Sequence, residues 1–262
     1  MRISEAKKVC KEILLNTENI VPALQGERGI GKTEILKQLA DELGWGYHAV
    51  YPSSLEGPDF MGLVVKDLEG GVTRYLAPEF LPTEHAVKKG LFPEKGIFVL
   101  EELNRAEVQT QHVLFPLLLE GKINVHRLAP GWKRAVCMNP DTASYTTISM
   151  DLAALDRVHI LQVEPTVEDY TDYCISTGKY DRDVLEFLNV YPNMLLVKDS
   201  SGDSAGKSPC PRAWSRVQEL RLNVAFCKAE NPLGMEVLAG AVGTAAVASF
   251  YGYLRNRDIK PI

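Results

Sequence analysis

Gly26, Glu27, Arg28, Gly29, Ile30, Gly31, Lys32 and Thr33 follow one another in the pattern G-x-x-x-x-G-K-T, an order of residue types suited to holding a chain of phosphates. Glycine at 26, 29 and 31 lets the backbone take φ values closed to other residues, so that successive N–H groups turn inward toward phosphate oxygens. The helix that follows would begin with its positive dipole end facing the same anion. Lys32 is placed to reach the outer phosphates, and the Thr33 hydroxyl is a ligand for Mg²⁺. The apolar run at 20–24 supplies the strand that such a loop must follow.

Binding phosphate is not cleaving it, which also needs a metal, an oriented water and compensation for charge on the transferred group. Glu101 and Glu102 close the apolar run 96–101, and ends of parallel strands are where such sheets bind ligands. One carboxylate would hold the cation and the other polarise the attacking water. Asp is more usual at the first of these positions, and Glu101 carries its carboxylate about one bond length further out, roughly 1.5 Å. Asn139, after the run 134–138, offers a second polar strand tip beside the phosphates. Alone, each feature has a plainer reading: the two glutamates a solvated strand end, Asn139-Pro140 a turn.

The elements that must position these groups are legible from periodicity. Residues 3–15 carry apolar side chains at helical spacing, and 32–43 form a second helix closed by Gly44. A strand is expected at 47–51 and a turn-rich loop or short helix at 53–62. Hairpins are expected at 64–75, around Glu69-Gly70-Gly71, and at 122–128. A Pro-broken, mostly helical link spans 77–90, helix returns at 108–119, and strands follow at 134–138 and 158–163. After Pro165 everything reads as helix, with a mobile loop at 198–208 and a core helix built from the small residues of 235–254. Alternating strands and helices predict an α/β fold, a doubly wound parallel five-stranded sheet, with a small helical domain appended.

Acidic residues outnumber basic ones 34 to 29, giving a net charge of −5, so no general basic coat exists to hold a phosphate backbone. Nucleic acid is disfavoured without being excluded. The five cysteines are scattered and lack C-x-x-C spacing, which fits reduced thiols. No apolar run reaches membrane-spanning length, and the charged start does not resemble a secretory signal. The expected compartment is the cytoplasm.

Taken in order, these motifs resemble the MoxR class of AAA+ ATPases. The resemblance rests on the phosphate loop, on Leu100-Glu101-Glu102-Leu103-Asn104-Arg105-Ala106 with Thr110-Gln111, and on Leu117-Leu118-Leu119-Glu120-Gly121. Asn139-Pro140, Leu155-Asp156-Arg157 and Pro211-Arg212-Ala213-Trp214 complete it. It implies ATP and Mg²⁺ as cofactors, an AAA+ core over 1–164 and a helical lid over 165–262. It implies that Glu101 and Glu102 are the Walker B pair, Glu102 the catalytic carboxylate, and Asn139 sensor 1. Arg157 would be the finger lent to a neighbouring subunit and Arg212 sensor 2, each with a competing reading as an ordinary surface arginine. A homo-oligomeric ring, a hexamer by the same resemblance, would remodel a protein partner, often one with a von Willebrand factor A domain. The alternatives are a nucleic-acid-directed motor of the restriction type and a slow nucleotide-dependent switch.

Overall fold

The apolar stretch before the two glutamates becomes strand β5, Gly96–Glu101, whose six residues are all buried, as a strand covered on both faces must be. The computed structural model describes residues 1–140, 155–198 and 207–257. Its main sheet holds β1 (Pro22–Gln25), β2 (Gly46–Val50), β5, β8 (Trp132–Met138) and β9 (His159–Gln162) in the order β2-β5-β8-β1-β9. All four pairings are parallel, giving the five-stranded parallel sheet expected. Helix α1 (Ile3–Asn16) buries Ala6, Cys10 and Leu14, one per turn, and α2 (Lys32–Leu43) buries Ile35, Leu36, Leu39 and Ala40, so each shows an apolar stripe to the interior.

Short elements fill the connections. A 3₁₀ turn, Pro52–Ser54, precedes α3 (Gly57–Met61), and β3 (Leu63–Asp67) and β4 (Val72–Leu76) form an antiparallel hairpin. Only Glu84–Lys88, α4, is helical in the Pro-broken link, started by a Thr83 hydroxyl that accepts from Ala86 N at 3.2 Å. Helix α5 (Val108–Glu120) leads into a second hairpin, β6 (Lys122–Ile123) with β7 (His126–Arg127).

The described residues divide into two compact units, one of residues 1, 3–26 and 32–163, the other of residues 2, 27–31 and 164 onward. The second is helical, with α6 (Val167–Thr177), α7 (Arg182–Val190), α8 (Pro211–Asn223), α9 (Ala225–Lys228), α10 (Pro232–Val242) and α11 (Thr244–Arg257). Its core centres on Trp214, which lies 5.5 Å from the Phe187 ring and 6.3 Å from that of Phe250. The Trp214 indole N–H donates to Met194 O at 2.7 Å, so the ring is buried without stranding its donor. The small-residue stretch is not one helix but two. Gly243 takes φ 89°, and a Cβ there would lie 2.7 Å from Lys207 O, so the chain breaks at the one residue that tolerates both conditions. Most of the loop expected at 198–208 lies outside the described residues. Among those described, no helix is long and apolar enough to cross a membrane.

His48 of β2 sits edge-on to Phe92 (5.3 Å) and stacked on Phe98 (6.0 Å). Burial pushes its pKa below the usual 6.5, because an apolar surround disfavours the cation. The unfolded chain therefore takes up a proton near pH 6.5 that the folded chain refuses, and stability falls as pH drops below that point. His48→Phe is expected to flatten this loss, checked by urea unfolding at pH 7.5 and pH 5.5; an unchanged pH dependence would remove His48 as its source.

Candidate nucleotide site

Three adjacent strands deliver the candidate groups to one edge of the sheet. In register, Leu24 lies beside Cys137 and Gln25 beside Met138, while Glu101 lies beside Cys137 from the other side. The phosphate loop leaves β1, the two glutamates end β5, and Asn139 follows β8. Because β8 is inserted between β1 and β5, successive connections diverge here, the kind of switch point at which doubly wound sheets bind ligands.

The loop keeps two of its three expected left-handed glycines. Gly29 has φ 71° and Gly31 φ 108°, whereas Gly26 is not among the positive-φ residues. Gly26 instead extends the sheet, its N–H donating to Met138 O at 3.3 Å. At Gly29 a Cβ would lie 2.8 Å from Cys210 Sγ, so space as well as φ calls for glycine. Ile30 is buried, 2 % exposed, as is Gly26, while Arg28 is the exposed member of the loop. Within the helical unit, to which 27–31 belongs, Arg212 N–H donates to Gly29 O at 3.0 Å. Arg28 donates to Ser208 Oγ at 3.4 Å, and Arg212 itself is exposed on the first turn of α8.

Lys32 opens α2 with its ammonium on Gly26 O (2.6 Å) and Asn139 Oδ1 (3.2 Å), so the lysine of the loop and the amide of the third strand meet. Asn139 is buried, 3 % exposed, as is Asn104, 4 % exposed. Asn104 clasps the Asn139 backbone twice: its amide donates to Asn139 O at 2.8 Å, and its Oδ1 accepts from Asn139 N at 3.4 Å. The turn after β5 and the tip of β8 are thereby locked together, with every polar atom of that clasp satisfied.

The two glutamates are placed very differently. Glu101 is buried, 3 % exposed, and the Tyr47 hydroxyl donates to its Oε1 at 3.3 Å. Burial, then Glu101, push the Tyr47 phenol above its ordinary range, and the same two causes raise the buried Cys137 thiol well above its own; both neighbours therefore stay protonated beside the carboxylate. Glu102 leaves the strand in the left-handed region, φ 53° and ψ 40°, an uncommon conformation for a residue with a Cβ and one that collects at functional sites. The turn points its carboxylate off the sheet, half exposed, where Arg105 reaches it at 2.8 Å. An exposed pair of this kind contributes only about 0–1 kcal/mol and leaves Glu102 free to change partners. Arg157, at the end of the described turn before β9, lays its guanidinium over the Phe115 ring of α5, 4.9 Å from the centroid.

Thr33 and Glu101 offer hard oxygen donors, the chemistry Mg²⁺ prefers. Among the described residues no group of three or more His, Cys, Asp and Glu side chains is placed to hold a metal by itself. Asn104, Arg105 and Tyr47 are the contributors that spacing did not assign. The first two lie in the Leu-Asn-Arg-Ala segment next to the glutamates, a signal of place without role. Tyr47 has no sequence signal, since its neighbour is reached only through strand pairing.

Residues 23–130 match the family described as AAA domain (dynein-related subfamily), a span that contains the loop and both glutamates but ends before Asn139, Arg157 and Arg212. No curated protein matches the sequence significantly. Solved structures that resemble it include two single-substitution variants of RuvB from Thermotoga maritima. One has 15 % identity and a TM-score of 0.48 over 97 % of this chain and 69 % of the other. The second has 16 % identity and a TM-score of 0.46 over 97 % and 68 %.

Proposed function

We propose, from an AAA domain at residues 23–130 as premise, that this chain is an ATP-hydrolysing AAA+ protein of MoxR type that works as a ring, hexameric in form, and remodels a protein partner. The observation that carries the ATPase reading is the meeting of Lys32 with Asn139 at 3.2 Å, between the loop after β1 and the tip of β8, beside the glutamates of β5. Backbone N–H groups of 29–33 and the Lys32 ammonium take the phosphates, and Thr33 with Glu101 holds the cation. Bound Mg²⁺ supplies neutralising charge to the phosphate oxygens. Glu102 orients and polarises the water, helped by the Asn139 amide. Arg157 is assigned the finger role toward a neighbouring protomer and Arg212 the sensor 2 role; both guanidiniums stay charged without a proton changing hands.

The protein-partner reading draws on the β3–β4 hairpin. Leu63, Leu68 and Val72 are 68 %, 86 % and 53 % exposed there, apolar side chains on one short hairpin that a protein partner would cover. The net charge of −5 also favours protein over a phosphate backbone. The test is to follow mass and ATPase rate together. With ATP present the chain should elute as a closed oligomer, and specific activity should rise steeply with protein concentration, since each site needs a neighbour. A monomer with concentration-independent turnover would overturn the ring, and salt-sensitive stimulation by DNA would overturn the choice of partner.

A further inference from the structure

Glu101 stands where a shorter carboxylate is usual, and its carboxylate meets a hydroxyl from the neighbouring strand. Tyr47 lies on β2, the strand paired with β5, and its register partner is Ile97. Positions 97 and 101 differ by four, so Glu101 and Tyr47 lie on the same face of the sheet, side chains alternating along a strand. The phenol leans along that face until its O–H donates to Glu101 Oε1 at 3.3 Å. The ring is itself held from above: Lys37 of α2 places its ammonium 5.7 Å from the ring centroid. One helix thus carries Lys32 and Thr33 at its start and clamps the tyrosine one turn further on.

We propose that Tyr47 is a positioning residue for the metal-holding carboxylate. Its hydroxyl fixes one oxygen of Glu101 so that the longer side chain presents a single orientation toward the cation. The inference rests on the ATPase reading above and deepens it, since it makes Glu101 and Tyr47 a matched pair instead of treating Glu101 as a defective Asp. A hydrogen bond between a neutral donor and a buried carboxylate is strong enough to matter at this site. A Phe at 47 keeps the ring and the Lys37 contact and removes only the O–H. An Asp at 101 withdraws the carboxylate by about 1.5 Å, out of the hydroxyl's reach.

The experiment is a double-mutant cycle with Tyr47→Phe and Glu101→Asp, read as the Mg²⁺ concentration needed for half-maximal binding of a fluorescent ATP analogue and as Mn²⁺ affinity by electron paramagnetic resonance. In the unaltered chain, Tyr47→Phe is expected to raise the metal requirement about tenfold, with binding of metal-free nucleotide unchanged and the fold kept at a melting temperature only a few degrees lower. In the Glu101→Asp background the same change should have no effect. An equal effect in both backgrounds, or none in either, would overturn the pairing. If the unaltered chain shows no metal-dependent nucleotide binding, the ATPase reading itself fails and takes this inference with it.

Discussion

Glu102→Gln is expected to lower the turnover number of the proposed ATPase by about 10²–10⁴-fold, the range for loss of a positioned general base, while ATP binding is retained. The expectation follows from the contrast between the two glutamates. Glu101 is buried and tied to Tyr47, whereas Glu102 is turned off the strand by its left-handed backbone and held only by a half-exposed contact with Arg105. An amide keeps the size of the side chain and its place in the turn but cannot accept a proton from water. The measurement is steady-state phosphate release beside equilibrium binding of ATP. Loss of both together would mean that the turn has collapsed, and unchanged turnover would move the base elsewhere and favour the slow-switch alternative.

Arg157→Ala is expected to cost about 10³–10⁵-fold in assembled-state hydrolysis, the magnitude associated with an arginine finger, with nucleotide affinity of the isolated chain unaltered. The guanidinium lies over Phe115 at 4.9 Å, and losing that stack at a partly exposed position costs only about 0.5–1 kcal/mol of stability. The two effects are therefore separable by a melting curve. Arg157→Lys should fail almost as badly, because an ammonium lacks the planar fork that spans phosphate oxygens and stacks on the ring. The sharpest form mixes two inactive chains, Arg157→Ala and Glu102→Gln. At a mixed seam the first keeps its own Glu102 and borrows an arginine from the second, so activity should reappear. No recovery in an oligomer shown to be mixed would remove the trans role.

How legible the site was depended on how far along the chain each contact reached. The phosphate loop is a local object: Gly29 and Gly31 adopt their positive φ within a few residues of Lys32, and spacing alone conveyed it, Gly26 excepted, since its role was set by pairing with Met138. The buried strand 96–101 was equally plain because all six residues are covered. Tyr47 was invisible, since its bond to Glu101 crosses 54 residues and exists only because β2 pairs with β5 in one register. Asn104 was visible as a motif member but its clasp on Asn139 depends on β8 lying beside β5. In the tail, helical periodicity ran through 235–254 without interruption, because one glycine among many small residues gives no warning that Gly243 alone meets a carbonyl.

The ammonium of Lys32 already rests on a main-chain carbonyl and a side-chain amide. An incoming triphosphate must therefore trade for these bonds instead of meeting a bare cation. On the proposed reading, affinity would be tempered by what is surrendered, and a departing diphosphate would leave behind a lysine with somewhere to go. For the ATPase cycle proposed above, such a grip would relax on product release without stranding the lysine's charge.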